Sequence, residues 1–198
     1  MPAKRAATKK SAVKPYRLYG GPGWGSAITE AMLEVAGLPT KLEDNPNWTE
    51  GAAAKKLAKI NPLVQLPTLV LPDGQIMTES AAIALLLAER APKSGLVIPT
   101  GDKRRPQFLR WLAFVVAAIY PTFNYGDDPS RFVSGDAVKE LRDSTNEQRK
   151  KLWRMVEKHV VGPFWMGKEF TALDIYVLVM SRWRPGMDWF RAECPKLA

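Results

Sequence analysis

Residues 60–90 read INPLVQLPTLVLPDGQIMTESAAIALLLAER. Two short β-rich runs, PTLVL and QIMT, flank Pro72-Asp73-Gly74, which is turn chemistry, so the pair predicts a hairpin. The run from Glu79 to Arg90 is rich in alanine and leucine and apolar on most of its surface, which predicts a buried helix. Upstream, Asn61-Pro62 closes a loose helix over residues 47–62, because a residue before proline is biased away from helical backbone.

Working outward toward the N-terminus, YRLYG (residues 16–20) and TKLE (40–43) predict short strands. Between them, GSAITEAMLEVAG (25–37) predicts a helix, with Ile28, Met32 and Leu33 near helical spacing and Gly37 as its stop. The order strand, helix, strand, helix, strand, strand, helix is that of an α/β thioredoxin-like domain. Toward the C-terminus, APKSGLVIPTGDKRRP carries three prolines and two glycines and reads as a linker. Beyond it every periodic segment is helical: residues 104–121 with Pro121 marking the end, then a loop over 125–136, an amphipathic helix over 137–161 and a strongly apolar one over 171–183. The expected organisation is a basic tail over 1–15, a mixed domain over 16–92, a linker over 93–104 and an all-helical domain over 105–198.

The composition excludes several function classes. At 198 residues and 46% hydrophobic content the chain can bury a real core. Its longest uncharged apolar run, SAAIALLLA, is about half of what a bilayer span requires, so no membrane is expected as a partner. The single cysteine, Cys194, rules out an intrachain disulfide and a cysteine-based zinc site, which makes a reducing, cytoplasmic compartment the expectation. The single His159 offers no cluster for metal chemistry, and it is expected to face solvent or cap a helix; no metal site is assigned. Of the net charge of +9, five units sit on Lys4, Arg5, Lys9, Lys10 and Lys14, and removing them leaves +4. This acid-free tail is expected to be disordered and to touch nucleic acid only non-specifically, since it lacks aromatic residues for base stacking. An organelle-targeting role for it stays open.

The turn after the first strand, LYGGPGWGSAITEAM, places Gly20, Gly21, Gly23 and Gly25 ahead of a helix. A dinucleotide fingerprint would use Gly21 and Gly23, with Glu43 or Asp44 as ribose acid, but its third glycine falls on Ser26 and the following elements form a hairpin rather than a βαβ repeat. A nucleoside triphosphate loop fails because no Gly-Lys-Ser/Thr follows.

The ordered set Asn-Pro, Gln-Leu-Pro at a strand start, Asp-Gly turn and Glu-Ser opening a helix, all within residues 60–90, resembles the glutathione-binding half of the glutathione transferase family. FTALDIYV near the C-terminus is similar to that family's helix-capping box, with Thr171 as cap and Asp174 three residues on. The resemblance covers most of the chain after residue 16. It implies a cis Pro67, so that the backbone of Leu66 pairs with glutathione as an added strand would, with Gln65 on the tripeptide's backbone or carboxylate end. It also implies that Glu79 and Ser80 receive the γ-glutamyl carboxylate at a helix N-terminus.

Members with a catalytic cysteine carry it where this chain has Gly25, so exchange chemistry through a protein thiol is not expected. Two hydroxyls stay open as the group that activates the glutathione thiol, Ser26 at the helix start and Tyr19 at the strand end. Trp24, Trp111, Phe114, Val115 and Ala118 are the candidate wall for a hydrophobic electrophile, with Tyr120 and Phe123 on the same segment. The resemblance implies a homodimeric transferase with glutathione as co-substrate. The alternatives are a non-catalytic scaffold of the same fold, or a glutathione-dependent isomerase, dehalogenase or peroxidase. The run WFRAECPKLA is similar to the approach to one more helix, so a form shortened at the C-terminus is a further expectation.

Overall fold

The computed structural model describes residues 14–198, so most of the basic tail lies outside the described residues. The chain runs β1 (Tyr16–Gly20), α1 (Ser26–Val35), β2 (Thr40–Asp44), α2 (Gly51–Ala58), β3 (Thr68–Val70), β4 (Ile76–Met77) and α3 (Ser80–Arg90). The sheet order is β2-β1-β3-β4. Strand β1 pairs parallel with β2 and antiparallel with β3, and β3 pairs antiparallel with β4. This is the thioredoxin-like arrangement expected from the sequence.

Two-residue periodicity along the strands sorts side chains to opposite faces. Leu18 and Leu69 join Ile28, Met32, Leu33, Ile83 and Leu87 in the main core under α1 and α3. Their neighbours Tyr19 and Val70 face the other way and form a smaller cluster with Trp48 and Leu57, which closes α2 over the sheet. Each fully buried aliphatic side chain contributes about 1.5–3 kcal/mol relative to exposure, so the face carrying α1 and α3 dominates.

The segment after α3 is anchored rather than loose: Leu96 and Ile98 are buried, and the Leu96 carbonyl accepts the Ala172 amide at 2.8 Å. Helices follow as α4 (Arg105–Phe114), α5 (Tyr120–Asp127), α6 (Ala137–Glu157), α7 (Ala172–Met180) and α8 (Met187–Glu193). Helix α7 is apolar apart from Asp174 in its first turn and packs into the main core through Leu173, Ile175 and Tyr176.

Pro121 does not end its helix, contrary to the sequence expectation. A π-helical segment, Val115–Ile119, joins α4 to α5, and Pro121 falls within the first two positions of α5. The Tyr120 amide reaches back to the Val115 carbonyl, and the Thr122 hydroxyl takes the Ile119 carbonyl at 2.6 Å. Proline's missing donor thus falls at a change of register, where it breaks no α-helical ladder. One extra residue in a turn rotates every downstream side chain by about 100°, which decides where Tyr120 points.

The capping box appears as expected. The Thr171 hydroxyl accepts from the Leu173 amide, and the Asp174 carboxylate accepts from the Thr171 amide at 2.7 Å and the Trp165 amide at 2.8 Å.

Candidate functional site

Three chain segments meet at one end of the sheet. Because Tyr19 pairs with Thr68 and Leu69 with Met77, the end of β1, the approach to β3 and the exit from β4 lie side by side. These are the glycine-rich turn over 20–25, the Leu66–Pro67 peptide and the Glu79–Ser80 step into α3. The strand register thereby gathers the three motifs that the sequence singled out.

The Leu66–Pro67 peptide is cis. Asn61, 5% exposed, holds the loop before it: its side-chain amide donates to the Gln65 carbonyl and to Thr68 Oγ1, both at 3.0 Å, and its Oδ1 accepts the Leu63 amide. Val64, at φ 53, turns the backbone between these bonds, leaving the Gln65 side chain exposed and Leu66 half-buried. Asn61, which the sequence marks as a helix stop and as part of the Asn-Pro motif, thus positions this loop; an Asx turn at Asn-Pro is the local signal for that holding role.

At the exit from β4, Glu79 takes φ 62 and ψ 96, a conformation that costs a non-glycine residue about 1–3 kcal/mol. It turns the chain sharply into α3, where Ser80 is 7% exposed. Ser80 Oγ accepts a 2.6 Å hydrogen bond from the Tyr176 hydroxyl of α7. Burial pushes the Tyr176 phenol well above its ordinary range despite that bond, so it stays a donor.

Ser26 and Tyr19 are each 2% exposed. The Ser26 hydroxyl closes the glycine turn, accepting from the Gly21 amide at 3.1 Å and donating to the Gly21 carbonyl at 3.4 Å. The Tyr19 ring packs edge-on to Trp48 at 5.3 Å, with the Lys56 ammonium 5.9 Å from its centroid. Trp24 is half-buried and packs on that same cluster. The turn is tied to the helical part by Trp183, whose Nε1 donates to the Gly23 carbonyl at 2.9 Å.

Of the expected wall, Trp111 and Val115 lie in the main core, 3% and 0% exposed, with the Trp111 ring tilted against Trp165 at 5.5 Å. Both are turned into the core, because the apolar stripe of α4 and of the π-helical segment after it packs against the rest of the bundle. Phe114 and Ala118 are half-buried beside them. The aromatic residues at the glycine turn are instead Tyr120 and Trp183, with ring centroids 5.8 Å apart, backed by Phe123 at 5.0 Å from Trp183. Beneath them Arg149, 1% exposed, lies 3.8 Å from the Phe123 centroid and bonds Thr122 Oγ1 and the Thr122 carbonyl. Burial lowers this guanidinium to about 10.

Among the described residues no group of three or more His, Cys, Asp or Glu is placed to hold a metal ion, and no helix is long and apolar enough to cross a membrane. His159 is exposed, with Nδ1 2.9 Å from the Met155 carbonyl.

The chain as a whole is similar to known proteins. A profile of the glutathione S-transferase N-terminal domain matches residues 26–90. The uncharacterised GST-like protein YncG of Escherichia coli K12 is 40% identical over 184 residues, covering 92% of this chain and 88% of that protein. Glutathione S-transferase GST-4.5 of Xanthomonas campestris pv. campestris is 29% identical over 178 residues, covering 87% of this chain and 85% of that one. A glutathione transferase homologue from Sulfitobacter, solved with bound glutathione, superposes with a TM-score of 0.81 at 25% identity, covering 92% of this chain and 88% of its own. The chain belongs to the glutathione S-transferase family.

Proposed function

We propose that this protein binds glutathione at the strand ends and transfers it to hydrophobic electrophiles. The observation that carries the reading is the strand register, which brings the Leu66–Pro67 peptide, Ser80 and the turn before α1 together at one end of the sheet. In this reading the Leu66 backbone takes the cysteinyl backbone of the tripeptide, and Gln65 takes its backbone or carboxylate end. Ser80, with the amides at the start of α3, takes the γ-glutamyl carboxylate, where the helix dipole favours negative charge. The cysteinyl sulfur is then directed toward the start of α1. Lowering the thiol pKa there and holding the thiolate against an electrophilic carbon supplies the rate.

A homodimer, checked by light scattering on the purified chain, and a cytoplasmic location, checked by cell fractionation, are part of the same proposal. Retention on immobilised glutathione together with turnover of an aryl halide is the test. Failure to be retained removes the reading.

A non-catalytic glutathione-binding protein is the second reading. It is favoured by the burial of Tyr19 and Ser26 and by the engagement of the Ser26 hydroxyl within the turn. Retention with no turnover of any aryl halide or epoxide selects it.

A further inference from the structure

Gly25 and Tyr120 are complementary in space. A Cβ built on Gly25 would overlap the Tyr120 hydroxyl oxygen, with the ring Cζ at 3.1 Å and the Leu66 carbonyl oxygen at 3.6 Å. The phenolic oxygen therefore occupies the volume that any other residue at position 25 would fill with its side chain. That volume lies over the first turn of α1 and beside the backbone at Leu66. Helix α1 is capped there by Gly25 without a side-chain hydrogen bond.

The ring is held rigidly. Trp183 crosses it at 86° with centroids 5.8 Å apart, and Phe123 lies at 6.4 Å. Trp183 is itself fixed by its bond to the Gly23 carbonyl. The π-helical segment immediately before Tyr120 sets the rotation that brings the ring to the turn. The hydroxyl has no hydrogen-bond partner among the described residues, whereas the Ser26, Thr122 and Tyr176 hydroxyls are all engaged.

We infer that the Tyr120 hydroxyl is the donor that holds the glutathione sulfur as a thiolate, standing in the place that Gly25 leaves free. This rests on the glutathione reading above and names the group that reading lacks. Burial, with the Asp127 charge adding to it, pushes the Tyr120 phenol up to about 12. The group thus stays protonated through the neutral range and serves as a hydrogen-bond donor rather than a base. In the step, the glutathione S–H bond breaks and its proton passes to solvent water, while the sulfur keeps the electron pair. The Tyr120 O–H and the N-terminal end of α1 stabilise that charge. With an aryl halide, the sulfur lone pair forms the C–S bond, and the halide leaves with the pair of the carbon–halogen bond.

The test is Tyr120→Phe, which keeps the ring packing and removes only the hydroxyl. Three readouts are the ultraviolet titration of bound glutathione thiolate, the affinity for S-methylglutathione, and kcat/KM for chlorodinitrobenzene. The expected result is a bound-thiol pKa higher by about one unit or more and a loss of roughly tenfold or more in kcat/KM near neutral pH. Affinity for the thioether, which has no proton to lose, stays within about twofold of wild type. Gly25→Ala, whose Cβ displaces the phenol, should reproduce the raised thiol pKa. An unchanged thiolate titration in Tyr120→Phe overturns the inference and leaves glutathione binding intact. A wild-type chain that binds neither glutathione nor S-methylglutathione overturns both.

Discussion

The Tyr176 hydroxyl donates a 2.6 Å hydrogen bond to Ser80 Oγ, joining residues 96 positions apart in the chain. One end of this bond is on α7, in the middle of the helical bundle, and the other is at the first turn of α3. Since Ser80 accepts from Tyr176, its own proton is left for a different acceptor. The docking of the helical part onto the sheet and the positioning of the Ser80 hydroxyl therefore share one interaction.

Tyr176→Phe tests this coupling. The phenylalanine ring fills the same buried volume, so the loss is that of one hydrogen bond, about 0.5–1.5 kcal/mol. For a domain of this size that lowers the melting temperature by a few degrees at about 2–4 °C per kcal/mol. Glutathione affinity, by calorimetry, should fall by about three- to tenfold, with Ser80→Ala falling at least as far. Equal affinity in wild type and Tyr176→Phe means that α3 alone orients Ser80.

Asp174 concentrates more bonding than an ordinary cap. Its carboxylate accepts from the Thr171 amide, the Thr171 hydroxyl and the Trp165 amide. Asp174→Ala strands two part-buried backbone donors, Thr171 at the helix start and Trp165 in the loop before it, each costing about 1–3 kcal/mol when left unpaired. The expected destabilisation in urea is about 2–4 kcal/mol, larger than for Thr171→Ala at about 1 kcal/mol. A reversed order means that the threonine hydroxyl, rather than the carboxylate, organises this turn.

Arg149 is a buried cation held by acceptors that are not carboxylates. Its guanidinium bonds the Thr122 hydroxyl and carbonyl, Asn146 Oδ1 and the Arg184 carbonyl, and lies over Phe123. These bonds fix the first turn of α5, and with it the aromatic group at the glycine turn. Lysine cannot reproduce the planar fork and keeps the charge buried. Arg149→Lys should therefore cost about 2–4 kcal/mol, more than Arg149→Met, which also removes the desolvation penalty. Thermal melts of the two variants order them, and a more stable lysine variant refutes this account of the bond set.

The parts of this fold that were legible in the sequence are those set by local chemistry. The hairpin around Asp73-Gly74, the apolar run of α3 and the Thr171–Asp174 box each carry their structural cause within a few residues. The path of the helix through Pro121 was not legible, because helical periodicity assumes one register and the π segment changes it. Tyr120 is visible in the sequence only as one more aromatic on an apolar stripe. Its place above Gly25 depends on that register change, on Arg149 and on Trp183, none of which is local. Conversely, Trp111 and Val115 looked like a pocket wall because core and pocket share the same apolar pattern.

Cys194 gives a pH-dependent test of how the C-terminal segment is seated. The thiol is buried beside Glu157 and Glu193, and burial pushes it up from 9.0 to about 12. Folded protein at pH 8 should therefore react with a neutral disulfide reagent far more slowly than denatured protein, at a rate set by local opening rather than by the thiol. The sign of the stability effect follows from proton counting. Above the unfolded thiol pKa, the unfolded chain loses a proton that the folded chain keeps, so stability falls as pH rises from 9.0 toward about 12. Denaturant midpoints measured across that window should decline more steeply for wild type than for Cys194→Ala. Parallel slopes, or prompt labelling of the folded chain at pH 8, mean that the residues after α8 are not docked on Phe190 and the core beneath it.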